Sequence, residues 1–139
     1  MDNLFPRRDQ PRIVRDSLRI HFMYSAQLLD HFQHPRNAGD VPDADAIAEI
    51  ENPVCGDVIR MSLKIREGRI VEIRFKAKGC VPALACGSAL TELSFSKTPA
   101  DACKITPKEL SETVGGLPPA SNHAAELAID VLQAALKKL

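Results

Sequence analysis

Between Ile59 and Lys78 the chain changes polarity at every step. Ile59, Met61, Leu63 and Ile65 alternate with Arg60, Ser62, Lys64 and Arg66, and after Gly68 the residues Val71, Ile73, Phe75 and Ala77 alternate with Glu72, Arg74, Lys76 and Lys78. A period of two puts one face of each strand in a core and the other in water, as in an antiparallel hairpin. This hairpin constrains everything built around it. A two-residue connection at Glu67-Gly68 sets Leu63 opposite Glu72, apolar against charged. A three-residue loop of Arg66, Glu67 and Gly68, with Gly68 left-handed, instead pairs Leu63 with Val71, Met61 with Ile73 and Asp57 with Ala77, and is the register expected.

The other elements are set by caps and breakers. Residues 25–33 read as a short helix with Ser25 as N-cap, Leu28 and Phe32 on one face, and Pro35 as its stop. Residues 47–51 read as a strand. Pro82 opens a helix running to about Lys97, with Cys86, Leu90 and Leu93 on one face. Thr98-Pro99-Ala100-Asp101 and Thr106-Pro107-Lys108-Glu109 are two cap-and-proline helix starts, and Gly115-Gly116 ends the second. Ser121 or Asn122 caps a last helix with the stripe Ala124, Leu127, Ala128, Val131, Leu132 and Ala135, ending at Lys137-Lys138. Strands first and helices after predict an α+β fold: a small antiparallel β-sheet of about three strands with helices packed on one face.

The 139 residues suit one domain, and 18 basic against 18 acidic side chains leave no charge excess for gripping nucleic acid. No apolar run is long enough to span a membrane. Residues 1–22 carry five Arg and three Asp, lack a signal-peptide core and read as a disordered or loosely docked extension before a domain at 23–139. A cytoplasmic, reducing setting is therefore expected, where cysteines more often bind metal than pair.

The hairpin brings Cys55, just before its first strand, to the same open end as Cys80, just after its second. Glycines border both, and Cys80 begins a helix, where the dipole favours thiolate, the form that ligates metal and accepts sulfur. Beside two thiolates Asp57 becomes an oxygen donor. His123, in the first turn of the last helix, is the remaining candidate. Cys86 and Cys103 are expected to be buried as small core residues. His31 and His34 suit a helix end and are assigned no chemistry.

At this point a wider pattern is visible. Met23-Tyr24-Ser25, Asp30-His31-Phe32, His34-Pro35-Arg36-Asn37, Asn52-Pro53-Val54-Cys55-Gly56-Asp57, Phe75-Lys76-Ala77-Lys78-Gly79-Cys80, Ser88-Ala89-Leu90-Thr91-Glu92 and Leu117-Pro118-Pro119 before His123 occur in that order. Together they resemble the U-type iron–sulfur cluster assembly scaffolds, IscU and the N-terminal domain of NifU. The resemblance implies a non-enzymatic scaffold that builds a transient 2Fe–2S cluster, or holds iron, and passes it to acceptor proteins, with sulfur delivered by a cysteine desulfurase. It implies Cys55, Asp57, Cys80 and His123 as the site, with zinc able to occupy it in the isolated protein.

Two departures stand out. The family's third cysteine comes directly after the histidine, where this chain has Ala124, and Cys86, six residues and about 240° of helix past Cys80, does not replace it. Members served by a dedicated Hsp70-type chaperone read Leu-Pro-Pro-Val-Lys; here Ala120-Ser121 ends the motif, so the resemblance does not extend to that partner. Alternatives stay open: a degenerate zinc- or iron-binding relative that partners or regulates a desulfurase, and a metal-free interaction module. No Ser-His-Asp order, phosphate loop or dinucleotide glycine pattern suggests an enzyme.

Overall fold

The structure is a computed structural model and is described for residues 24–139; the extension expected over residues 1–22 lies outside them. The elements run α1 (Ala26–Gln33), β1 (Ala46–Glu51), β2 (Val58–Arg66), β3 (Arg69–Lys78), α2 (Val81–Ser94), α3 (Pro99–Ala102), α4 (Pro107–Thr113), a 3₁₀ turn (Pro119–Ser121) and α5 (Asn122–Leu136). The three strands form one antiparallel sheet in the order β1-β2-β3. Helix α5 lies on β1 and β2, α2 on β3, and α1 packs on α2. The α+β architecture expected from the pattern is the one observed.

The period-2 residues build the core as their parity requires. Ile59, Met61 and Leu63 of β2 and Ile73 and Phe75 of β3 are buried against Cys86 and Leu90 of α2. All six residues of the expected α5 stripe are buried too. Ser25, Thr98 and Thr106 cap their helices through side-chain oxygens that accept from Leu28, Asp101 and Glu109 N–H at 2.9, 3.1 and 3.1 Å. Ser121 occupies the N-cap position of α5 without a capping side-chain bond, because the preceding 3₁₀ turn leads into the helix.

The hairpin register differs from the expected one. Leu63 pairs with Ile73, Met61 with Phe75 and Ile59 with Ala77. Glu67 and Gly68, at φ +53° and +76°, form a two-residue turn, whose left-handed pair matches the twist of the strands. The extra residue that apolar parity requires sits in the strand instead. Lys64 faces Glu72 while Ile65 faces Ile70, so Val71 is a bulge. Ile70 is thereby turned into the core and Val71 left 40% exposed. At the other end Val58 pairs with Lys78, which puts Asp57 across from Gly79 rather than Ala77.

Helix α2 is buried on nearly every side, and it approaches the sheet through Gly87. A Cβ there would lie 2.6 Å from Cδ2 of Phe75. Alanine gains about 0.5–1 kcal/mol of helix propensity over glycine, but overpacking a close contact costs about 1–3 kcal/mol. We therefore expect Gly87→Ala to lower stability by about 1 kcal/mol in urea denaturation. Gly87→Ala combined with Phe75→Leu should lose less than the two single losses added; strict additivity would refute the contact.

Candidate metal centre

The segment between β1 and β2 is a preformed turn. Asn52 N–H donates to Asp57 O and Gly56 N–H to Asn52 O, each at 2.7 Å, and the Asn52 side-chain oxygen accepts from Val54 N–H at 2.9 Å. Gly56 supplies the positive φ, +77°, that turns the chain back. The turn leaves Cys55 exposed and sends Asp57 inward, where it is only 4% exposed.

A buried carboxylate needs donors, and the hairpin register supplies them. Cys80, the N-cap of α2, gives its backbone N–H to Asp57 Oδ1 at 3.1 Å and its thiol to Oδ2 at 3.2 Å. Only glycine fits between them: a Cβ on Gly79, at φ +141°, would lie 2.0 Å from Oδ1. Burial pushes the Asp57 pKa up, but hydrogen bonds from the Cys80 and Cys55 thiols and the Cys80 N–H, with the charge of His123, outweigh it. The carboxyl titrates below its ordinary range.

His123 enters from the opposite side. As the second residue of α5 it holds its Nδ1 3.1 Å from Ala120 O, which makes Nδ1 the protonated nitrogen and leaves Nε2 as a free donor. That Nε2 lies 3.6 Å from Asp57 Oδ2. Ligand atoms of Cys55, Asp57 and His123 all fall within 4.8 Å of one another. Cys80 sits outside that trio and is joined to it through Asp57. The structure thus gathers all four residues named from the sequence around one carboxylate.

The remaining cysteines divide differently from expectation. Cys86 is buried, as anticipated, and its thiol is pushed up to about 12 by burial and by the nearby Cys80. Cys103 is exposed, not buried. It caps α3, a helix of four residues whose inward position is taken by Ala102 at 1% exposure. Cys80 also departs from expectation. Its position at a helix start does not yield a thiolate: burial, joined by the hydrogen bond to Asp57 and the nearby charges of Asp57 and Cys55, pushes the thiol up to about 11 despite the Ala83 N–H that lowers it. Ala124 is fully buried in the core beneath the site.

This split is measurable by alkylation. At pH 8 in the metal-free protein, Cys55 and Cys103 should react first, and Cys86 only on unfolding. Because the thiolate is the nucleophile, the Cys80 rate should climb about tenfold per pH unit toward about 11. A Cys80 rate already flat between pH 7 and 9 would show that its thiol is not held as described.

With this geometry in place, comparison with known proteins locates the chain. The family described as NifU-like N terminal domain matches residues 23–139. The "Iron-sulfur cluster assembly scaffold protein IscU 1" of Archaeoglobus fulgidus is 43% identical over 114 residues, spanning 82% of this chain and 74% of that protein. The "Iron-sulfur cluster assembly scaffold protein IscU" of Aquifex aeolicus is 39% identical over 120 residues, 85% of this chain and 76% of the relative. Among solved structures, an iron–sulfur cluster assembly scaffold protein for the SUF system, so described, from Fervidobacterium islandicum AW-1 shares the fold at TM-score 0.71 and 20% identity, covering 84% of this chain and 98% of that one. The chain belongs to the NifU-like N-terminal domain family.

Proposed function

We propose that this chain is a scaffold on which an iron–sulfur cluster is assembled and from which it passes to acceptor proteins. The observation that carries the reading is the donor group itself: Cys55, Asp57 and His123 within 4.8 Å of one another, with the Cys80 thiol 3.2 Å from the same carboxylate. Two sulfurs, one nitrogen and one oxygen suit iron, and also zinc. The relatives named as scaffolds support the cargo, and the family resemblance supports a cysteine desulfurase as sulfur donor and 2Fe–2S as the cluster. The cluster is cargo, so no catalytic step is assigned to the chain. Among the described residues no helix is long and apolar enough to cross a membrane, and the reading places the work in the cytoplasm, where thiols stay reduced.

Ala124 gives Asp57 its particular importance here. With no thiol at that position, the carboxylate is the fourth donor rather than a spare one. It is a harder ligand than thiolate and holds an iron–sulfur unit less firmly, which favours release. Residues Ala120-Ser121 argue against reliance on the dedicated Hsp70-type chaperone.

Anaerobic reconstitution with ferrous iron and sulfide tests the proposal. The wild-type chain should develop visible cluster absorption, and Cys55→Ala and Asp57→Ala should each lose it. Ala124→Cys should yield a longer-lived cluster. Stoichiometric iron or zinc binding with no cluster in wild type, restored by Ala124→Cys, would favour the second reading, a metal-binding partner or regulator of a desulfurase. Absence of any bound metal would leave only the interaction module.

A further inference from the structure

The loop that delivers His123 is tied at its start to the N-cap of α1. Helix α4 ends in a Schellman arrangement: Gly115 N–H donates to Glu112 O at 3.0 Å and Gly116 N–H to Ser111 O at 2.8 Å. Val114 O is left over, and the hydroxyl of Ser25, 89 residues away in sequence, donates to it. The same hydroxyl oxygen accepts Leu28 N–H at 2.9 Å as the cap of α1. The fit is close. A Cβ on Gly115, at φ +79°, would lie 2.7 Å from Ser25 Oγ and 2.7 Å from the Gln27 side-chain oxygen.

The segment after Val114 is short and constrained by bonds: Gly115 and Gly116 are held through their N–H groups to α4, Pro118 and Pro119 have fixed φ, and a 3₁₀ turn closed by Ser121 N–H to Pro118 O at 2.8 Å leads into α5. His123 is then held by Ala120 O of that same turn. A displacement at Val114 is therefore passed along this short, hydrogen-bonded connector to the imidazole.

We propose that Ser25 is a positioning residue for the metal centre: by holding Val114 O it sets the connector that aims His123 Nε2 at Asp57. The inference rests on the reading of His123 as a ligand. Ser25 plays two parts that chemistry can separate. Aspartate keeps the capping acceptor but, ionised, has no proton to give Val114 O. Threonine keeps both parts.

Cobalt(II) affinity of the anaerobic apoprotein, with helix content and melting temperature alongside, is the test. Ser25→Thr should match wild type, and Ser25→Asp should bind roughly tenfold more weakly while keeping its helix content, as loss of a group supporting a ligand typically does. In a His123→Gln background the Ser25→Asp change should produce no further loss of affinity. Wild-type affinity in Ser25→Asp would overturn the proposal, as would an equal loss with His123 already replaced, since the effect would then not run through the imidazole. If His123→Gln alone leaves cobalt binding untouched, the ligand assignment falls, and this inference with it.

Discussion

One carboxylate holds the functional end of this molecule together. Asp57 is 4% exposed, and an ionised group so placed survives only if surrounding donors replace its lost hydration. Those donors are the backbone N–H and thiol of Cys80 at the start of α2, while the imidazole of His123 at the start of α5 lies 3.6 Å from the same carboxylate and stabilises its charge when protonated. The carboxylate therefore pins the open end of the β2–β3 hairpin to two helices at once. It also dictates Gly79, since any larger residue would overlap Oδ1. The demand for a buried, satisfied Asp57 explains the register at this end of the sheet as much as apolar pairing does.

The helical layer solves a matching problem around α2. This helix touches the sheet on one side and α1 on the other, and its second interface is polar. Ser88 Oγ lies 2.8 Å from His31 Nδ1 and accepts Arg36 N–H at 2.9 Å, while Thr91 Oγ1 accepts from Asn37 at 3.1 Å. These bonds clamp the loop after α1, which in turn pairs with β3 through Gly39 N–H to Phe75 O and Phe75 N–H to Asn37 O. Burial pushes the His31 pKa down, and the Arg36 charge adds to this, against Glu92 and Asp30. His31 thus serves the scaffold as a neutral, buried packing group, distinct from the exposed-edge role of His123.

Much of this was legible in the residues, and the gaps have physical causes. Period-2 alternation revealed β2, β3 and the buried face, because the pleat converts sequence parity directly into side. It could not locate the extra residue. One residue added in the turn and one added as a bulge at Val71 restore the same parity, and turn energetics favoured the two-residue form. Caps at Ser25, Thr98 and Thr106 were readable because they act over three residues. The contacts His31–Ser88 and Ser25–Val114 were not, since they join residues 57 and 89 positions apart with no local signature. Cys103 departs from the expected burial because a four-residue helix has no continuous inner face. The Cys80 thiol departs from the expected thiolate because the dipole is a weaker influence than burial beside a carboxylate.

The same balance explains how a site with this donor set keeps its shape before metal arrives. In the metal-free chain the Asp57 charge is satisfied by thiol protons and an N–H, so the end of the hairpin does not need a metal to close. Under the proposed function, ligation would require those thiols as thiolates, so loading would exchange protons for metal at the same sulfurs while the backbone N–H bond to Oδ1 could persist. The carboxylate is compensated before and after. A ligand set completed by a cysteine at position 124 would have one more proton to lose before it could bind metal. Here the negative charge is built in, stabilised by the fold, and waiting at the centre of the donor group. Ala124, next to His123 and fully buried, contributes no donor, so the charge of the group rests on Asp57 opposite Gly79.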